Sequence, residues 1–187
     1  KIVVSTDSKK IAHLSKKYGA EIPFIRPKKI SNDTATDTHV IGHFINHCKK
    51  KKIHLKTLCY VYPSNPLLKI STLKKCKKIL NQAECTRVIT ISKFSNKIER
   101  SLVKNKKNFI DFKIKKNKNK RSQDFEESYH DAAQCYWFNI KRIKNIKKIK
   151  KNTTKAVELK KFEFVDLDTK DDLINLKKIY KSKLHYY

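Results

Sequence analysis

Glycine is almost absent from this sequence: Gly19 and Gly42 are the only two in 187 residues. That argues against a glycine-rich phosphate loop within the stretch, because such loops need several residues of unhindered backbone. No apolar run approaches the ~20 residues of a membrane-spanning helix. Lys1 opens directly into IVVSTD without the layout of a signal peptide, so a soluble cytoplasmic protein with no membrane partner is the expectation. The five cysteines, Cys48, Cys59, Cys76, Cys85 and Cys135, form no C-x-x-C pair and have no histidine at finger spacing. An odd, scattered set of this kind reads as reduced core thiols, not as a disulfide frame or a zinc site. Arginine is scarce too. Arg26, Arg87, Arg100, Arg121 and Arg142 leave 41 of the 46 basic residues as lysine.

The formal net charge of +29 first suggests a polyanionic partner such as nucleic acid. A reader of phosphates or base edges favours the bidentate guanidinium, however. Lysine here is spread along the chain together with isoleucine and asparagine, and methionine is missing. The pattern reads as drift toward AT-rich codons with surface positions filled by lysine, so no specific nucleic-acid partner is expected. A basic nucleic-acid-binding module is kept as the reading from another functional class.

The apolar segments alternate between two periods. IVVSTD reads as a buried strand running into a helix cap. SKKIAHLSKKYGA follows with Ile11, Leu14 and Tyr18 on one face and a stop at Gly19. IPFIRP is short and extended, and HVIGHFINHC repeats Val40, Ile41, Phe44, Ile45 and Cys48 at helical spacing. LCYVY, then the rigid loop PSNP, then STLKKCKKIL with Leu73, Cys76 and Leu80, then RVITIS, continue the alternation. Three βα-type units predict an α/β fold with a largely parallel sheet. Ligands of such sheets gather at the carboxyl ends of strands, which makes the loops 31–37 and 62–66 candidate site walls. Residues 93–120 read as an inserted strand or hairpin arm whose lysine-rich end is a solvated tip. KAVELKKFEFVDLD reads as a strand ending in Asp166-Leu167-Asp168, followed by a helix carrying Leu173, Leu176, Ile179 and Tyr180.

Asp166 and Asp168 stand two apart at the end of an extended run, so their carboxylates point to one side. Two hard oxygen ligands suit Mg2+, which binds through one or two carboxylates and substrate phosphates. The competing reading makes Asp168 a helix cap before Thr169, Asp171 and Asp172. Arg26 at a loop entry suits either a nucleotide base or an acidic neighbour. Tyr62 suits either a pocket wall or a core lid, and His130 suits either a general base or a structural hydrogen bond.

VSTDSKKIAHLSKKYGAEIPFIRPKKISNDTATD, YPSNPLL, RSQDFEESYHDAAQCYW and VDLDTKDD follow one another over nearly the whole chain. In that order they resemble the CMP-sugar synthetases that activate nine-carbon ulosonic acids. The block RSQD-x-EE-x-YHDA-x-Q-x-YW is similar to the pseudaminic acid branch of that family. The sialic acid branch tends to show RRQD followed by Asn-Gly, and an N-acylneuraminate cytidylyltransferase is the alternative within the enzyme class.

The resemblance implies a Rossmann-like nucleotidyltransferase fold, mainly parallel sheet with flanking helices, as a single domain over 1–187. It also implies an inserted dimerisation arm at approximately 93–130 and a homodimer. The activity it implies is joining CTP to the sugar acid with release of pyrophosphate, assisted by Mg2+. Asp166 and Asp168 match the family's metal-binding, catalytic aspartates, and Arg26 matches the arginine that helps read cytosine, with Ala35 and Asp37 beside the base. Tyr62, Arg121, Gln123 and Tyr136 lie on sugar-facing segments.

The sequence departs from the family twice. The family begins with a strand and a basic, glycine-containing loop that grips the triphosphate, and this sequence starts after it. The expectation is an N-terminally truncated domain that does not turn over CTP alone, with an inactive paralogue as a further alternative. Ala133 stands where relatives usually carry glycine, so its methyl group is expected to crowd the pocket or shift the backbone.

Overall fold

The computed structural model describes residues 1–150 and 152–184. The chain divides into two compact units: Lys1–Leu58 with Asn139–Lys150, and Cys59–Phe138 with the described residues after Lys150.

In the first unit, α1 (Lys9–Lys17) begins where Ser8 Oγ accepts the Ile11 N–H at 3.3 Å. It ends at Gly19, whose φ of 84° lets Gly19 N donate to Lys16 O and Ala20 N to Ser15 O. That paired closure is the reason glycine is needed here. α2 (Asp37–Lys50) starts with Thr36 N–H donating to His39 Nδ1 at 3.2 Å and buries Ile41 and Cys48. Phe24 packs edge-on against His43 of α2 with ring centroids 4.5 Å apart.

Two expectations for this unit fail. IVVSTD does not form a buried strand; it makes a single parallel bridge, Val3 to Glu21, and Ile2 is 75% exposed. The shared face of Ile11, Leu14 and Tyr18 is open rather than covered, and α1 buries Ala12 instead. Helical spacing fixes which residues share a face. It does not supply a layer to cover that face.

The second unit is built on β2 (Arg87–Lys93), in which Val88, Thr90 and Ser92 are buried at the period of two that a strand imposes. β1 (Thr57–Val61), β5 (Tyr129–Asn139), β2 and β6 (Thr154–Glu158) form a four-stranded sheet in the order β1-β5-β2-β6. β2 runs parallel to β6 but antiparallel to β5, so the sheet is mixed. α3 (Ile70–Leu80) covers it with Cys76 and Leu80, which join Cys85, Val88, Ala132, Cys135, Val157 and Leu159 in one core. Cys59, Cys76 and Cys135 meet there. Hydrogen bonding to Cys59 and burial push the Cys135 thiol up to about 12, and a hydrogen bond with Cys135 plus burial drive the Cys76 thiol still higher. Such thiols are inert, and none of the five cysteines is in a disulfide.

β3 (Leu102–Lys104) and β4 (Ile110–Phe112) form a separate antiparallel hairpin. Within the lysine-rich run after it, Asn117 is only 3% exposed, because its Nδ2 donates to Glu99 O at 2.9 Å. The lysines around it are exposed.

The expected strand KAVELKKFEFVDLD is interrupted. β6 stops at Glu158, Lys160 to Glu163 form a turn closed by Lys160 N–H on Glu163 Oε2, and residues 164–168 run extended without a ladder. A small second core of Leu67, Val165 and Leu176 fastens that segment to α4 (Lys170–Leu184). No described helix is long and apolar enough to cross a membrane.

Candidate active site

β5 departs from regular pairing where the acidic and aromatic residues fall. Ile91 faces Asp131 and Ile89 faces Tyr136, so two steps along β2 correspond to five along β5. The surplus is a bulge, the device by which sheets re-aim side chains beside binding sites. Several side chains hold it. Thr90, fully buried, accepts the Cys135 N–H at 3.3 Å and donates to the Cys135 carbonyl at 3.4 Å. Asp131 Oδ1 accepts the Ala133 N–H, and its Oδ2 accepts the Tyr136 hydroxyl, both at 2.9 Å. Asn65 Nδ2 donates to the Ala133 carbonyl at 3.0 Å, and buried Gln134 donates to the Glu163 carbonyl at the same distance. Ala133 itself sits at φ 45°, in the left-handed region that favours glycine. The backbone therefore keeps the conformation a glycine would adopt and carries a methyl group there.

Tyr60 and Tyr62, at the end of β1 and the start of its following loop, meet Tyr136 of the bulge. Ring centroids are 5.3 Å apart for Tyr60 and Tyr62, 5.8 Å for Tyr62 and Tyr136, and 6.2 Å for Tyr60 and Tyr136. The loop 62–66 thus contributes both an aromatic ring and Asn65. Asn65 Oδ1 is buried and has no hydrogen-bond partner among the described residues.

Asp166 belongs to the same neighbourhood. Burial first, then the carboxylates of Asp168, Asp172 and Asp131, push its carboxyl above the usual range, and His130 opposes the shift. Asp166 and Asp168 alternate with buried Val165 and half-buried Leu167, so the extended spacing survives although no ladder is present. The start of α4 is capped without their carboxylates, Asp168 contributing only its backbone N–H to Asp172 Oδ2 at 3.2 Å. Asp172 Oδ2 accepts from Thr169 N and Thr169 Oγ1, both at 2.7 Å, and Thr169 Oγ1 accepts from Asp172 N. This reciprocal box takes the capping role that one reading gave to Asp168. Two mutually repelling carboxylates with no role in the cap fit a divalent cation of the hard-oxygen type. Among the described residues no cluster of three or more histidine, cysteine, aspartate or glutamate side chains has metal-holding geometry.

His130 is held by its own strand. Its Nδ1 donates to the Asp131 carbonyl at 2.9 Å, and its ring lies 4.9 Å from Phe94 and 5.6 Å from Phe164. Arg121 pairs with Asp124 of its own turn at 3.2 Å and its side chain is 81% exposed; Gln123, in the same turn, is exposed.

In the first unit, Arg26 is 22% exposed at its side chain. Its Nε donates to Ser31 Oγ at 2.9 Å, and its Nη2 lies 3.9 Å from Asp7. Ala35 and Asp37 bracket the start of α2, with Ala35 N donating to Asn32 O. Asp131, Asn65, Tyr60 and Thr90 were not singled out from sequence. The signals were the loop 62–66, which holds Asn65, the block RSQDFEESYHDAAQCYW, which holds Asp131, and Ala133 at a position where the resembling family carries glycine.

The sequence model of the cytidylyltransferase family matches residues 1–186, and the chain belongs to that family. It is therefore a nucleotidyltransferase by family, and the mixed α/β sheet with flanking helices is the Rossmann-like class expected of it. The chain is 29% identical over 180 residues to the pseudaminic acid cytidylyltransferase of Campylobacter jejuni subsp. jejuni serotype O:2, covering 96% of this chain and 78% of that protein. It is 30% identical over 168 residues to a Helicobacter pylori protein named pseudaminic acid cytidylyltransferase and UDP-2,4-diacetamido-2,4,6-trideoxy-beta-L-altropyranose hydrolase, covering 89% of this chain and 32% of that one. A CMP-N,N'-diacetyllegionaminic acid synthase of Legionella pneumophila is 28% identical over 96 residues, 51% of this chain and 41% of that protein.

Proposed function

We propose, against the expectation that this stretch does not turn over CTP alone, that the chain transfers CMP from CTP to pseudaminic acid, a nine-carbon ulosonic acid, releasing pyrophosphate. The observation that carries this reading is 29% identity across 96% of the chain to a protein named for that substrate. Pseudaminic acid is preferred to N-acylneuraminate because the relatives that cover most of the chain bear the former name.

In the reaction the anomeric hydroxyl oxygen of the sugar bonds to the α-phosphorus of CTP. The bond from that phosphorus to the bridging oxygen of pyrophosphate breaks, and the hydroxyl proton passes to solvent water. The work of the protein is positioning and charge stabilisation, not covalent catalysis. Tyr62 and Tyr136 form an aromatic wall for the sugar acid. Arg121 and Gln123 belong to the sugar-facing segments by resemblance alone. Arg26, steadied by Ser31, reads the cytosine with Ala35 and Asp37. Asp166 and Asp168 hold Mg2+, which neutralises negative charge on the phosphates. A CTP-dependent reaction suits a cytoplasmic enzyme. The hairpin β3–β4 serves as the arm of a homodimer, a role supported by Leu102, Val103, Phe109 and Ile110, which are between 48% and 69% exposed.

Incubation of the protein with CTP, Mg2+ and each of pseudaminic, legionaminic and N-acetylneuraminic acids tests the reading. Pyrophosphate release is expected to be fastest with pseudaminic acid. Preferential formation of CMP-N-acetylneuraminate, or no product with any of the three acids, would overturn it.

A further inference from the structure

We infer that a cavity between α2 and the segment 140–147 binds a small amphipathic anion, a carboxylate or phosphate ester carried on an apolar body of roughly six to eight carbons. Both walls belong to the first unit, and the volume of about 600 Å3 is that of a small-molecule site. Arg26, Ala35 and Asp37 do not line it. Gly42, Asn46 and Lys49 face it at helical spacing, whereas Ile41 and Cys48, which α2 buries, share another face with Asp37. The cavity is therefore separate from the loop assigned to the nucleotide.

Gly42 is the first sign of an occupant. It stands inside α2, where glycine is less stable than alanine. The positive φ that explains Gly19 is absent at Gly42. A Cβ at position 42 would meet Ile146 Cγ2 at 3.8 Å, an ordinary contact, and no other described atom within 4 Å beyond its own helix and chain neighbours. Neither backbone conformation nor packing excludes a side chain there. What glycine keeps is open volume beside Ile146, itself a lining residue.

His43 is the second sign. It lines the cavity, and its Nδ1 is buried without a hydrogen-bond partner among the described residues. Buried polar atoms of this kind call for one. Burial first, then the charges of His47, Lys50 and Arg26, hold the imidazole below its usual range. The ring is thus neutral at neutral pH, and with its hydrogen on Nδ1 it donates to an oxygen.

The rest of the lining sets the chemistry of the ligand. Ile30, Ile45, Ile140, Ile143 and Ile146 are half-buried and offer an apolar surface. Lys49, Lys144 and Lys147 are exposed beside them, and no described acidic residue lines the cavity. Lysine is too common in this chain for three of them to mark a site; they decide the sign of the ligand. An apolar body on the isoleucines, with its anionic end toward the lysines and His43, satisfies both sets of residues.

Titration followed by calorimetry and by the ring resonances of His43, at about 0.15 M salt, tests this. Octanoate and hexyl phosphate are expected to bind and to shift the His43 signals, the tighter of the two identifying the anionic group. Hexanol and inorganic phosphate, each half of the combination, are expected to bind at least about tenfold more weakly. Gly42→Leu fills the cavity and should weaken octanoate binding at least about tenfold, with Gly42→Ala intermediate and Lys49→Gln about threefold weaker than wild type. Both variants at position 42 are expected to melt no lower than wild type, because a glycine leaves a helix. Inorganic phosphate as tight as hexyl phosphate would reveal only a lysine-covered surface, and hexanol as tight as octanoate only an apolar crevice. Octanoate affinity of Gly42→Leu within about twofold of wild type would put the anion elsewhere, and displacement of octanoate by CTP would put it in the nucleotide site. Each of these results, or the absence of binding, would overturn the inference. The comparison of probes uses wild-type protein and stands whether or not a variant folds.

Discussion

The β3–β4 hairpin and the bulged half of β5 come from neighbouring stretches of one unit and are held by opposite means. The hairpin is rich in apolar side chains, yet Phe109 is 69% and Ile110 is 66% exposed, and the guanidinium of Arg100 over the Phe112 ring is among its few tertiary anchors. The bulge is polar in sequence, yet Ala132, Gln134 and Cys135 are buried to 1% exposure or less, and Thr90, Asp131 and Asn65 satisfy its irregular backbone. Exposed apolar side chains leave the hairpin without a covering layer within its own unit, whereas satisfied polar anchors fix the backbone of the bulge. Substitutions in the bulge region should therefore cost function and stability. Those in the hairpin should cost neither within one chain.

The largest effect is expected at the acid pair beside the bulge. Asp168→Asn should lower CMP transfer by at least about a hundredfold, because half of the proposed cation site is lost. Its melting temperature should stay near wild type, because Thr169 and Asp172, not Asp168, cap α4. Steady-state rates paired with thermal melts check both halves of this outcome.

Next comes the anchor from β2. Thr90→Val keeps the shape but deprives the buried Cys135 N–H and carbonyl of their partner. A cost of about 1–3 kcal/mol is expected, measured by urea unfolding. A value near zero would mean that the bulge is not held through Thr90.

The contrast also explains what the sequence could and could not disclose. The helices α1, α2 and α4 were legible from their spacing, but their caps were not: the sequence pointed to Ser5-Thr6-Asp7 and to Asp168, whereas Ser8, Thr36 and Thr169 serve. RVITIS was legible because its alternation is local and strict. IVVSTD and FEFVDLD looked like strands by the same criterion but form no ladder, since laddering depends on a neighbour that composition does not reveal. The bulge was invisible for a related reason. Its surplus residues exist only relative to the register of β2, more than thirty positions away. Of the candidate residues, Tyr62 and Tyr136 come together, and Asp166 shares its field with Asp168 and Asp131. Arg121 is engaged within its own turn.

Two smaller effects concern the flanks of the bulge. Glu163 receives Gln134 on its carbonyl and pairs its carboxylate with Lys69 Nζ at 2.6 Å. That hydrogen bond, followed by the Lys160 backbone N–H, holds its carboxyl below the usual range. A depressed acid contributes stability that is present above its unfolded value and is lost as pH falls through its folded value. Glu163→Gln should accordingly cost about 1 kcal/mol at neutral pH and progressively less in acid, read from unfolding at a series of pH values. Ala133→Gly should act in the other direction. Relief of a left-handed alanine outweighs the added freedom of the unfolded chain, for a gain of about 0.5–1 kcal/mol. Destabilisation would mean that the methyl group packs usefully.

The hairpin should respond least. Replacing both Phe109 and Ile110 with serine removes two largely exposed side chains, so the unfolding free energy of a single chain should move by less than about 0.5 kcal/mol. If the hairpin is the arm of a homodimer, the same double substitution should shift sedimentation from dimer to monomer, because the two residues then lie in an interface rather than in water. Unchanged stability with lost association would separate the two regions as argued: one is fixed by internal anchors and the other waits for a second copy. A large loss of single-chain stability would show instead that the hairpin is anchored like the bulge, and the distinction between them would not hold.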